Sequence, residues 1–297
     1  MAEARADTRF EQVVQKIDSR SKLLRAWELK GGVPAQVTAL EIERPAGQME
    51  KMIVRQPVTA DEFKLLQRLH AVGLATPVPY FLDQSGEILS TPYVVLEYIE
   101  GQPEFSVAHV TEPMRQLAAQ LSRIHQVDCT KLDVSLLPKQ EQRYAEMMRA
   151  RATDVDEVCD EGRIRKTLEA AWPLTQRNRS VLLHGDFWPG NILWKDGQLV
   201  AVIDWEDAAL GDPLADVANG RLEMLWAYGV EAMQRFTQQY QALTMIDWTN
   251  LPYWELWADL RLAPRMGEWG LDTSSEQRMH ERHRWFIAQA FEKLAVH

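Results

Sequence analysis

Three oxygen-bearing side chains stand at spacings that could do chemistry together. Asp186 and Asn191 lie in the run Leu183-His184-Gly185-Asp186-Phe187-Trp188-Pro189-Gly190-Asn191-Ile192, and Asp204 follows in Val202-Ile203-Asp204-Trp205-Glu206. The skeleton is H-x-D-x-x-x-x-N, then an aspartate at the end of a second apolar run. Moving a phosphoryl group from a nucleotide to an alcohol needs a carboxylate to orient the attacking hydroxyl and accept its proton. It also needs hard oxygen ligands that hold Mg2+ on the phosphates. Asp186 suits the first task, Asn191 and Asp204 the second. Each alone could be a turn or capping residue; the ordered set, each member leaving an apolar run, points to a shared cleft. No second histidine accompanies His184 at metal-ligand spacing, so His184 reads as a brace for the loop and a metal-dependent hydrolase is disfavoured.

The elements that must position these residues show in the hydrophobic period. Trp27 to Leu29, Val37 to Ile42 and Met52 to Arg55 are short strand-like runs, punctuated by Gly31-Gly32 and Pro45-Ala46-Gly47. One helix follows from Thr59 to Val72, opened by the capping-box pattern Thr59-x-x-Glu62, with Phe63, Leu66, Leu69 and His70 at helical spacing. Tyr93 to Ile99 is the most strand-like run and closes at Gly101-Gln102-Pro103, where a lobe boundary is expected. Beyond it, Met114, Leu117, Ala118, Leu121, Ile124 and His125 share one face of a helix that starts near Thr111. Helices continue to about Gln176, interrupted by a β-rich island from Val181 to Trp205. There Leu199 to Trp205 is expected to pair with Ile192 to Trp194 across Lys195-Asp196-Gly197. From Pro213 onward the period is helical again. The tryptophans in that part read as packed core, and Glu255, Asp259 and Glu268 as a solvated face.

Composition bounds the function classes. The 297 residues exceed one compact core, so two lobes are expected, and 46% hydrophobic with 26% charged residues is the balance of a globular protein. A net charge of -10 disfavours a nucleic-acid partner and mildly favours a cationic substrate. Cys129 and Cys159 have neither zinc-site nor disulfide spacing. The first thirteen residues lack the apolar core of a signal peptide, and no run reaches the roughly 18 apolar residues of a membrane span. A reducing cytoplasm, with no membrane partner, is the expected setting.

His184-Gly185-Asp186 with Asn191, then Ile203-Asp204-Trp205-Glu206, then Gly211-Asp212-Pro213-Leu214-Ala215-Asp216 resemble the loops of the aminoglycoside phosphotransferase family, small-molecule kinases related to the protein kinases. The resemblance runs from about Leu24 to Asn219. It implies a two-lobed α+β, protein-kinase-like fold. Residues 1–101 would form a small antiparallel-sheet lobe with a hinge at 97–101. Residues 102–297 would form a mainly helical lobe, with catalytic loops in 181–216 and substrate-binding helices in 217–297, and the nucleotide is expected between the lobes. It further implies Asp186 as the catalytic aspartate, Asn191 and Asp204 as metal ligands, and backbone amides near Gly31 and Gly32 over the phosphates. Arg55, held by Glu62, would touch the α- and β-phosphates. Main-chain atoms from Glu97 to Ile99 would meet the purine, which leaves ATP and GTP open. Pro34 stands where related loops often carry serine, removing a hydroxyl contact.

The resulting expectation is a phosphotransferase that uses Mg2+ and ATP or GTP on a small-molecule hydroxyl, an aminoglycoside or a cellular metabolite. The alternative, from another class, is a nucleotide-binding regulatory pseudokinase with little or no catalysis.

Overall fold

The structure is a computed structural model and describes residues 8–29, 35–105, 109–149, 160–262 and 272–295; Gly31, Gly32 and Pro34 lie outside these residues, as do Cys159 and Glu268. The chain divides into two compact units, Met1–Gly101 with Val200–Ile203, and Gln102–Leu199 with Asp204–His297.

The first unit begins with helix α1 (Thr8–Ile17), followed by β1 (Lys22–Glu28), β2 (Gln36–Glu43), β3 (Met49–Gln56), α2 (Ala60–Ala71), β4 (Pro79–Asp83) and β5 (Tyr93–Glu97). The strands form one antiparallel sheet in the order β1-β2-β3-β5-β4. Sequence reasoning finds one helix and four strands here, so α1 and β4 are additions. In α1 the apolar residues are scattered among charges, yet Val13 and Val14 are buried and pack with Leu40, Ile42, Met52 and Tyr93. β4 begins at Pro79, which reads as a helix stop. It lies at the sheet edge, where a missing N–H is tolerated. Thr59 Oγ1 accepts the Glu62 N–H at 3.1 Å and caps α2. This helix buries Leu65, Leu66 and Leu69, while His70, expected on the apolar face, is exposed.

The second unit opens with α3 (Thr111–His125), α4 (Gln140–Arg149) and α5 (Glu161–Ala171). α3 buries the six residues predicted from its period. Then come β6 (Val181–Leu183), a 3-10 turn (Pro189–Asn191), β7 (Ile192–Lys195), β8 (Gln198–Val202) and β9 (Ala209–Gly211). β7 and β8 form the expected ribbon, and its turn is gripped by Gln116 of α3, which donates to Gly197 O at 3.0 Å and accepts from Leu199 N–H at 2.9 Å. The strand stops at Val202 rather than Trp205, because Asp204 adopts φ 63° and leaves the extended conformation. β6 pairs with β9, a strand too short to show a period.

Helices α6 (Leu214–Tyr228), α7 (Val230–Leu243), α8 (Leu251–Leu262) and α9 (Thr273–Ala295) complete this unit. α6 is buried on every face from Leu214 to Trp226 and packs against α7, α8 and α9. Trp226, Trp254 and Trp257 are core residues, and Tyr144 stacks between Trp172 at 3.7 Å and Trp257 at 4.1 Å. Glu255 and Asp259 correct the expectation of a solvated face. Both are 1% exposed, Glu255 paired with Arg221 at 2.8 Å and Lys293 at 3.2 Å, Asp259 beside His283 at 3.0 Å. A carboxylate on an otherwise apolar helix is buried only with a partner, and those partners come from α6 and α9. No described helix is long and apolar enough to cross a membrane.

Candidate active site

The loop after β6 hangs on one buried carboxylate. Asp216, in the first turn of α6, accepts the backbone N–H groups of His184 at 2.7 Å and Gly185 at 2.9 Å. Its third partner is His125 Nε2 at 3.2 Å, whose Nδ1 lies 2.6 Å from Tyr240 Oη. Burial pushes the Asp216 acid up, but the hydrogen bond and charge of His125 and the Gly185 N–H outweigh it and hold the acid below its ordinary 3.8. His184 is fully buried and its Nδ1 accepts the Asp186 N–H at 3.2 Å, so it braces the loop from inside. Gly185 has φ +84°, and a Cβ there would run into the carbonyl of Asp207. Only glycine lets these two loop backbones meet.

Asp186 is thereby presented at the top of the loop with both carboxylate oxygens engaged. Asn191, in the 3-10 turn, donates through Nδ2 to Asp186 O at 3.0 Å and Oδ2 at 3.1 Å. Arg261 of α8 donates through Nη2 to Asp186 Oδ1 at 3.0 Å and to Asn219 Oδ1 at 2.7 Å, and its Nη1 lies 3.5 Å from Asp207 Oδ2. Arg261 and Asn219 were not found by sequence reasoning. The one signal for Arg261 is a lone arginine in the apolar run Leu256-Trp257-Ala258-Asp259-Leu260-Arg261-Leu262. One turn beyond Asn219, the buried acid of Glu223 is pushed up to about 8, first by burial and then by the charge of Asp186, with Arg261 opposing.

Asp204 begins the next loop in the left-handed region, which aspartate tolerates better than most residues. Arg143 of α4 holds that loop by donating to the carbonyls of Glu206, Asp207 and Ala208 and to Asp207 Oδ1. Asp212 Oδ1 accepts from Leu214 N–H and Asn178 Nδ2, both at 3.0 Å, a bracing role at the start of α6. For a hard cation the donor set fits. The Asn191 amide nitrogen is committed to Asp186, so its Oδ1 is the atom that would face a cation, and Asp204 would add carboxylate oxygen. Among the described residues no group of three or more His, Cys, Asp or Glu could hold a metal ion.

In the first unit, Arg55 of β3 and Glu62 of α2 form an ion pair, with side chains 12% and 10% exposed. Arg55 sits on an inner strand, so it is not a solvated edge charge, and Glu62 does more than cap its helix. Glu97 donates its N–H to Val78 O at 2.9 Å, while its carboxylate accepts the Val78 N–H at 3.2 Å. In a regular antiparallel pair the Glu97 carbonyl would take that N–H; here the side chain substitutes for it. Ile99 is half-buried just past the end of β5.

The phosphotransferase enzyme family model matches residues 43–254. Mouse acyl-CoA dehydrogenase family member 10 is 32% identical over 174 residues, which cover 53% of this chain and 16% of that protein. Rat acyl-CoA dehydrogenase family member 11 is 26% identical over 230 residues, 67% of this chain and 29% of that protein. The chain therefore spans less than a third of the length of these curated relatives. In fold, it is similar to a crystal structure of a putative aminoglycoside phosphotransferase from Ralstonia eutropha, with a TM-score of 0.67, 15% identity, and 97% of this chain and 98% of that one covered. It is likewise similar to spectinomycin phosphotransferase in complex with ADP and spectinomycin, with a TM-score of 0.65, 16% identity, and coverage of 98% and 99%. The fold is thus the α+β, protein-kinase-like one, and the chain belongs to the phosphotransferase enzyme (APH) family.

Proposed function

We propose that the protein transfers the γ-phosphoryl group of ATP or GTP to a hydroxyl of a small molecule. The observation that carries this reading is the catalytic-loop carboxylate: Asp186 is pinned by Asn191 on one oxygen and Arg261 on the other, in a loop suspended from Asp216. Asp186 orients the acceptor hydroxyl and takes its proton. The acceptor oxygen bonds to the γ-phosphorus as the bond to the β–γ bridging oxygen breaks, and the nucleoside diphosphate leaves. Arg55, held by Glu62, neutralises charge on the α- and β-phosphates, with backbone amides near Gly31 and Gly32. The main chain from Glu97 to Ile99 meets the purine. Asn191 and Asp204 are the residues that would hold Mg2+, which when bound supplies neutralisation of the phosphate oxygens.

In this reading residues 1–101 serve the nucleotide, residues 181–216 the chemistry and residues 217–297 the acceptor, and the protein works in the cytoplasm. Acceptor candidates are an aminoglycoside or a cellular metabolite. The test is phosphate incorporation from labelled ATP or GTP into a panel of aminoglycosides, amino alcohols, sugars and hydroxy acids, with Asp186→Asn and Asp204→Ala as controls. Product formed equally by wild type and Asp186→Asn would sink the mechanism. Nucleotide binding with no product from any alcohol would instead favour a regulatory pseudokinase.

A further inference from the structure

Glu97 leaves a main-chain acceptor open at the end of β5. Its N–H goes to Val78 O at 2.9 Å, so its carbonyl faces the same sheet edge, away from β3. The neighbouring chain offers that carbonyl no donor. Val78 N–H is taken at 3.2 Å by the carboxylate of Glu97 itself, and Pro79, the next residue, has no N–H. Two residues on, with the same strand parity, Ile99 lies past the end of β5, and among the described residues its N–H makes no hydrogen bond. An acceptor and then a donor thus stand open on half-buried main chain, where backbone groups need a partner.

That order fits one kind of purine edge and opposes the other. Adenine presents a 6-amino donor beside the N1 acceptor, whereas guanine and hypoxanthine present a 6-oxo acceptor beside an N1–H donor. Resting on the phosphotransferase reading above, we infer that Glu97 sets the phosphate donor. Its carboxylate, by taking the Val78 N–H, keeps its carbonyl open, and that carbonyl with the Ile99 N–H selects a 6-amino purine, ATP over GTP. A 6-oxo purine in that place would set acceptor against acceptor and donor against donor, leaving both main-chain groups unpaired. The contacts belong to the main chain, but a side chain controls them. Without the Glu97 carboxylate, the Val78 N–H is free to return to the carbonyl, as in a regular antiparallel pair.

The test measures dissociation constants by titration calorimetry on the full chain with magnesium, for ATP, GTP, inosine triphosphate and purine riboside triphosphate. Inosine triphosphate differs from ATP only in its 6-oxo edge, and purine riboside triphosphate only lacks the amino group. GTP and inosine triphosphate should bind about 10- to 100-fold more weakly than ATP, the worth of two neutral hydrogen bonds. Purine riboside triphosphate, which loses one, should bind about 3- to 10-fold more weakly. In Glu97→Ala the preference for ATP over inosine triphosphate should fall by about 3- to 10-fold. Glu97→Gln, whose amide oxygen can take the same N–H, should keep it. A merely structural loss would weaken both nucleotides alike and leave their ratio where it was. If Glu97→Ala does not fold, the wild-type series and the Gln variant decide. Six-oxo nucleotides bound as tightly as ATP, a ratio untouched in the Ala variant, or a ratio lost in the Gln variant would overturn the inference. Phosphate incorporation from either labelled nucleotide would then leave phosphotransfer standing. If no nucleotide binds, the phosphotransferase reading fails and the donor inference falls with it.

Discussion

Replacing Asp216 should unhinge the catalytic loop, and the structure sets the size of the effect. Asp216→Ala removes the acceptor of two backbone N–H groups, from His184 and Gly185, and the partner of His125. Each buried donor left unpaired costs about 1–3 kcal/mol, so the two backbone groups together lose about 2–6 kcal/mol. That is a large part of the roughly 5–15 kcal/mol that holds a domain folded. Asp216→Asn keeps the shape and one acceptor oxygen but turns an amide donor toward another donor, so about half that loss is expected. The assay is urea unfolding of wild type and both variants at neutral pH and again near pH 3. The Asp216 acid lies below its ordinary 3.8 in the folded state. Its contribution is therefore present above that value and lost as pH falls through the lower folded value, and the gap between wild type and variants should narrow in acid. An Asn variant within about 0.5 kcal/mol of wild type, the range of a neutral surface change, would refute the reasoning. So would a gap that ignores pH.

Gly185→Ala should cost a few kcal/mol and most phosphotransfer, because its Cβ would collide with the Asp207 carbonyl at φ +84°; thermal denaturation and initial rates check this. Glu223→Gln should remove a pH dependence. The wild-type acid moves from 4.5 when unfolded to about 8 when folded, so the folded state holds an extra proton and stability declines as pH rises between those values. The variant should gain a few kcal/mol on wild type between about pH 5 and about pH 8.5 in urea titrations, and parallel curves would contradict the assignment. Arg55→Met should weaken nucleotide binding while leaving Asp216-dependent stability in place. In a thermal-shift series with magnesium and ATP or GTP, wild type should be stabilised by about 2.7 kcal/mol at a hundredfold excess over Kd, and the variant by clearly less at the same concentration.

The sequence alone determined what depends on local order. The loop of Asp186 and Asn191 is legible because only four residues of tight turn separate two groups that meet in space, and Asn191 does bond Asp186. The family, the α+β class, the cap at Thr59 and the buried face of α3 follow from motif, propensity and period in the same way. Tertiary structure alone decided which distant side chains share the loop's electrostatics. Arg261 is 75 residues from Asp186, and His125 is 91 from Asp216. No period or spacing encodes such pairings, because they arise when separate helices bury polar groups that must then find partners. Glu255 and Asp259 looked like surface for the same reason: a charge on a helix declares its burial only through the neighbour that neutralises it, and Arg221, Lys293 and His283 reach them from other helices.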